Sequence, residues 1–174
     1  MRWEALFADL AGQWEAALRV ADESLVADLA ETEMGQTLLA DRLRAKRAET
    51  PTVRLSDGSE HAGVVLDASP QWLLLGAGPR RVLIPVTAVA AAWPLGPVAP
   101  PAGTVERRLG VGHLLRAIAR EGAVVRVRAL GFEVRGSIVR VGSDHLDVSP
   151  GDVSAGAAPP VSIALAGLLS VASG

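Results

Sequence analysis

The stretch VRLSDGSEHAGVVLDASPQWLLL, residues 53–75, returns later in the chain as VRVRALGFEVRGSIVRVGSDHLDV, residues 125–148, with one residue inserted. Laid side by side, Val53 meets Val125, Leu55 meets Val127, Gly63 meets Gly136, Val65 meets Ile138, Leu73 meets Leu146 and Leu75 meets Val148. Further on, VLIPVTAVAAA (82–92) matches VSIALAGLLSV (161–171). An internal repeat of this kind makes each copy one structural unit. Within a copy the apolar residues alternate, as in Val53-Arg54-Leu55, which places them on one face of a strand. Asp57-Gly58, Ser69-Pro70-Gln71 and the run Gly76 to Pro79 supply turns. Strands are expected at 53–55, 63–67, 72–75, 81–85 and 91–93, and this density of short strands and tight turns indicates a small barrel. The second copy differs mainly in a longer Gly/Ala/Pro-rich loop, Ser149 to Pro160.

Upstream of the first copy the period is helical. Trp3, Phe7, Leu10, Trp14, Ala17 and Ala21 recur at steps of three and four and fall on one stripe, which resumes less regularly through Leu25, Leu29, Leu38, Leu39 and Leu43. A helix is expected from Trp3 to Arg47, weakened near Met34–Gly35 because glycine is a poor helix former. Arg42, Arg44, Lys46 and Arg47 suit a helix C-terminus, and Thr50-Pro51 ends it, because the residue before proline is pushed out of the α region. Between the copies, PLGPVAPPAG (94–103) has four prolines and no charge and reads as a semi-stiff linker. A second helix is expected from Arg107 to Arg120, with Leu109, Leu114, Leu115 and Ile118 on its apolar face and Gly122 as its stop. The domains expected are therefore a helix over 1–50, a first barrel over 51–95, a linker over 96–103, and a helix plus second barrel over 104–174.

Composition agrees with a packed protein. Of 174 residues, 49% are hydrophobic and 21% charged, while the 3% aromatic fraction leaves the core to Val, Leu, Ile and Ala. The absence of cysteine excludes disulfides, thiolate metal sites and cysteine nucleophiles. No signal peptide and no membrane span are expected, and the protein is placed in the cytoplasm. The net charge of −2 conceals an asymmetry: residues 1–49 hold ten acids against six bases, whereas residues 104–140 hold eight arginines against three glutamates. Units of about 45–50 residues are marginal alone, so the copies are expected to share buried surface, with Trp72 and Trp93 as candidates for that interface.

A helix followed by three strands, a variable loop, a strand, a one-turn step and a final strand resembles the Sm-like fold, in which an N-terminal helix caps a bent five-stranded barrel. Ile84-Pro85-Val86 before Ala88-Val89 is the closest echo. The fold class this implies is mainly β with α: a long N-terminal helix plus two tandem five-stranded Sm/SH3-like barrels, each preceded by a helix. The chain is also similar to uncharacterised actinobacterial proteins sometimes labelled Fis-type regulators, although residues 123–174 read as strands and offer no helix-turn-helix. RNA-binding members of the Sm family carry an Asn between the second and third strands and an Arg-Gly pair before the last. The matching stretches here are Gln71-Trp72-Leu73, Ser143-Asp144-His145, Val86-Thr87-Ala88 and Leu165-Ala166-Gly167, which lack both.

Chemistry-bearing patterns are sparse. His61, His113 and His145 fall in different elements, and Asp144-His145-Leu146-Asp147 has a plain alternative as a turn leading into a strand. No Gly-x-Ser-x-Gly is present, and Gly110-Val111-Gly112 lacks the third glycine and preceding strand of a dinucleotide fingerprint. No enzyme, cofactor or metal is expected. Two functions remain. The first is an interaction or scaffold protein that meets a second copy of itself or another protein through Trp3, Phe7, Leu10 and Trp14. The second is an RNA- or DNA-binding regulator that uses Arg107, Arg108, Arg116, Arg120, Arg126, Arg128, Arg135 and Arg140 as a phosphate footprint.

Overall fold

In the computed structural model the chain is mainly β, with antiparallel sheets and short helices. The structure describes residues 35, 37–96, 110–151 and 158–173. From residue 38 onward these belong to one compact unit. The stripe Trp3, Phe7, Leu10 and Trp14, and with it most of the expected first helix, lies outside the described residues. Among the described residues no helix is long and apolar enough to cross a membrane.

Helix α1 spans Leu39–Ala45 and buries Leu43 completely. Leu38 before it is extended (φ −81°, ψ 147°), and Met34, where an interruption is expected, lies outside the described residues. The helix also stops earlier than Arg47. Arg47 bridges Val65, the Ala48 amide donates to the Val65 carbonyl (2.9 Å), and the Val65 amide donates to the Glu49 carbonyl (2.8 Å). A strand edge therefore captures the backbone of 47–49 before Pro51 can act.

The first copy contains β1 (Thr52–Leu55), β2 (Glu60–Ala62), β3 (Val64–Ala68), β4 (Trp72–Ala77), β5 (Arg80–Pro85), a 3-10 turn (Val86–Ala88) and β6 (Val89–Trp93). The second contains α2 (Val111–Glu121), β7 (Val124–Ala129), β8 (Phe132–Val141), β9 (His145–Pro150), β10 (Val161–Ala164), a 3-10 turn (Leu165–Gly167) and β11 (Leu168–Ser173). Gly122 ends α2 in the left-handed conformation, as expected of it. The strand order is β2-β1-β6 in one sheet and β10-β9-β8-β7-β11-β5-β4-β3 in the other. The second strand expected in the first copy, 63–67, is β3, and β2 ahead of Gly63 is a further strand that pairs with β1.

The repeat is visible in the hydrogen bonding. β3 on β4 and β8 on β9 each carry a bulge at the same place, Leu66 and Val139. The Val86 amide donates to the Gln71 carbonyl (2.9 Å) as Leu165 does to Asp144 (2.7 Å), and Ser56 to Ala88 as Leu130 to Gly167 (2.9 Å each). At the first strand, however, the sequence alignment is displaced. Val53 faces Ala92 and Arg54 faces Glu60, whereas Val127 faces Val171 and Arg128 faces Glu133. Val53 therefore corresponds to Val127, not Val125. A slip of two residues keeps every side chain on its own face, and Val125-Arg126-Val127-Arg128 reads alike in both registers, so alternation could not tell them apart.

Gly63 and Gly136 hold the equivalent bends. A Cβ at Gly63 would stand 2.6 Å from the Gly76 carbonyl oxygen, and one at Gly136 would overlap the Ser149 carbonyl oxygen. Two apolar clusters form. One gathers Leu43, Val53, Val65, Leu73 and Ile84 of the first copy, and the other gathers Leu115, Val127, Ile138, Leu146 and Ile163 of the second.

Candidate functional site

The clusters do not respect the copies. Trp72 and Leu83 of the first copy belong to the second cluster, and Leu169 of the second copy belongs to the first. The exchange follows from strand pairing: β5 lies antiparallel to β11, with Leu83 opposite Val171 and Val82 opposite Ala172. The Arg81 amide adds a bond to Ser173 Oγ (2.9 Å). Trp72 is thus an interface residue and a core residue at once, while Trp93 is 40% exposed beneath the Arg54 guanidinium, 5.4 Å from its ring centre.

A second contact crosses the junction. Arg128 Nη2 donates to Asp57 Oδ2 (2.8 Å), and its Nε lies 3.5 Å from Glu133 Oε2. Asp57 is held below the usual carboxylate range, chiefly because the Ser59 hydroxyl and amide donate to it, with Arg128 assisting. Half-buried His61 is pushed below its ordinary value first by desolvation and then by Arg128, with Asp57 opposing, and its buried Nε2 has no hydrogen-bond partner among the described residues.

The repeat shows which surfaces correspond to this junction. Ala90 and Trp93 on β6 stand where Leu169 and Ala172 stand on β11, and both are exposed. His145 and Ser162 stand where Trp72 and Leu83 stand, and Ser162 Oγ donates to Asp147 Oδ1 (2.6 Å). The outer edges of β6 and β10 pair with no strand among the described residues. The inner edges are thus the apolar version of the surface, and the outer edges a smaller and more polar one.

The described arginines do not all line one depression. Arg107 and Arg108 lie outside the described residues. Arg126 Nη1 lies 3.6 Å from Glu133 Oε1, and Arg128 is committed to Asp57 and Glu133. Arg135 stands opposite Arg126 on β8, exposed. Arg116 and Arg120 on α2 meet Arg140 of β8 around a depression of about 390 Å³, with His113 at its rim and Ala119, Val139 and Val141 in its lining. Sequence reasoning missed His113 and Val139 here. Val139 is 55% exposed because it is the bulged residue, a property of strand register that hydropathy does not reveal.

Asp144 Oδ1 lies 2.8 Å from His145 Nδ1, a bond that lowers the Asp144 pKa. Asp147 instead faces Ser162 and Arg140, so the three residues of Asp144-His145-Leu146-Asp147 that invite an acid–base or metal reading do not converge. No group of three or more metal-ligating side chains occurs among the described residues. No protein-family model matches the chain, and no curated protein is significantly similar to it.

Proposed function

We propose that the chain is a non-catalytic cytoplasmic interaction protein, built from a long N-terminal helix and two tandem five-stranded Sm/SH3-like barrels, that scaffolds an assembly through strand edges. The observation that carries this reading is the β5–β11 junction, where one copy docks on the other edge to edge and the two exchange core side chains. Adding a strand to an open edge is a general mode of recognition. β6 is the open edge equivalent to β11, uncharged from Val89 to Trp93. The occupant favoured is a second copy of this chain, with the stripe Trp3, Phe7, Leu10 and Trp14 contributing. Light scattering of the full chain tests it. A dimer or larger assembly that Ala90→Arg reduces to a monomer, with the melting temperature unchanged, is the expected result. A monomeric wild type, or an assembly that ignores both Ala90→Arg and removal of residues 1–20, refutes it.

A second reading, an RNA- or DNA-binding regulator, draws support from the convergence of Arg116, Arg120 and Arg140. Phosphate binding releases counterions, so affinity for nucleic acid falls steeply with salt. An affinity independent of salt, or none, counts against it.

A further inference from the structure

His113, Arg116 and Arg120 follow one another along α2 at steps of three and four, which stacks them on one face of the helix. Arg116 and Arg120 have no carboxylate partner among the described residues; Arg120 Nε donates only to the Arg116 carbonyl (3.3 Å). Like charges at this spacing repel, so the pair weakens its own helix unless an anion joins it. Arg140 arrives from β8 on the other side. Its neighbour Asp147 is 3.5 Å away and already accepts from Ser162, and the Arg140 side chain remains 75% exposed. Between these cations the lining is apolar: Ala119, Val139 and Val141.

Each part narrows the ligand. Guanidinium groups present paired donors that match phosphate oxygens and also stack on flat rings. An inorganic anion would use the rim and leave the apolar lining wet, whereas an acidic peptide would meet no aromatic or deep anchor. The depression, about 390 Å³, lies in the size range of small-molecule sites. We propose that it binds one nucleotide unit, with Arg116, Arg120 and Arg140 on the phosphate and the Ala119–Val139–Val141 surface under the sugar and base. The unit comes either from a free nucleotide or from single-stranded nucleic acid. For the polymer, this rests on the second reading above and deepens it.

The test uses the full chain, with a fluorescent oligouridine titrated at rising salt and with AMP and ATP titrated separately and as competitors. Three proteins are compared: wild type, Arg116→Glu/Arg140→Glu, and Arg135→Glu as a charge reversal outside the patch. Melting curves confirm that each is folded. The expected result is a loss of at least about ten-fold in affinity for the double variant, with a salt slope lowered by about two, and little change for Arg135→Glu. Oligouridine binding that neither nucleotide displaces assigns the site to single strands, and direct binding of AMP or ATP assigns it to free nucleotides. If wild type binds RNA and Arg135→Glu weakens it as much as the double variant does, the patch is overturned while the nucleic-acid reading stands. If wild type binds none of the probes, both fall.

Discussion

Replacing Leu169 with Ala measures how far the two copies depend on one another. Leu169 belongs by sequence to the second copy, is 2% exposed, and sits in the first copy's core with Leu43, Val53 and Ile84. Truncation removes three carbon groups, worth roughly 2.4 kcal/mol of transfer free energy. The strand pairing around it hinders collapse, so a residual cavity raises the loss to about 3–4 kcal/mol. For a unit of this size that lowers the melting temperature by about 10 °C. Urea denaturation followed by circular dichroism should show one transition, shifted to lower denaturant with its slope unchanged. Leu130→Ala, at a site 58% exposed, is the control. Its effect should stay within about 0.5 kcal/mol. Hydrogen exchange gives the decisive reading: protection should fall in β1 and β3, far away in sequence, as well as in β7. A loss confined to β7–β11, or a destabilisation under about 1 kcal/mol, would refute the shared core.

His61 should make stability depend on acid. Its pKa in the fold is lowered from 6.5, so below that value the unfolded chain binds a proton more readily than the folded one. The contribution is complete above about pH 6.5 and is lost as pH falls toward the lowered value. The melting temperature should therefore drop more between about pH 7.5 and about pH 5.5 in wild type than in His61→Asn, and equal drops would count against the buried neutral ring. Gly136→Ala should cost at least about 2 kcal/mol, because its methyl meets the Ser149 backbone. At Gly142 the atoms nearest an added methyl belong to the His145 ring, a side chain that can swing aside, so Gly142→Ala should cost much less; denaturant midpoints decide between them.

Alternation and turn chemistry are local properties, and what depends on them was legible in the chain itself. The repeat, the strand runs around Val53, Val65 and Leu73, the turn at Asp57-Gly58 and the stop at Gly122 all come from the side chains of a few neighbouring residues. The register of the first strand was not legible, since a two-residue slip leaves each face unchanged. Nor was the end of α1, where an edge far along the chain takes over the backbone of Arg47 to Glu49. The arginines look alike in sequence, and the fold sorts those it describes, pairing Arg126 with Glu133 and Arg128 with Asp57 while bringing Arg116, Arg120 and Arg140 around one depression. Likewise, Leu169 is buried in the opposite copy while its equivalent Ala90 is exposed, because β5 covers the edge of β11. Which edge is covered depends on what stands across from it, and that is decided by strand pairing between residues far apart in the chain.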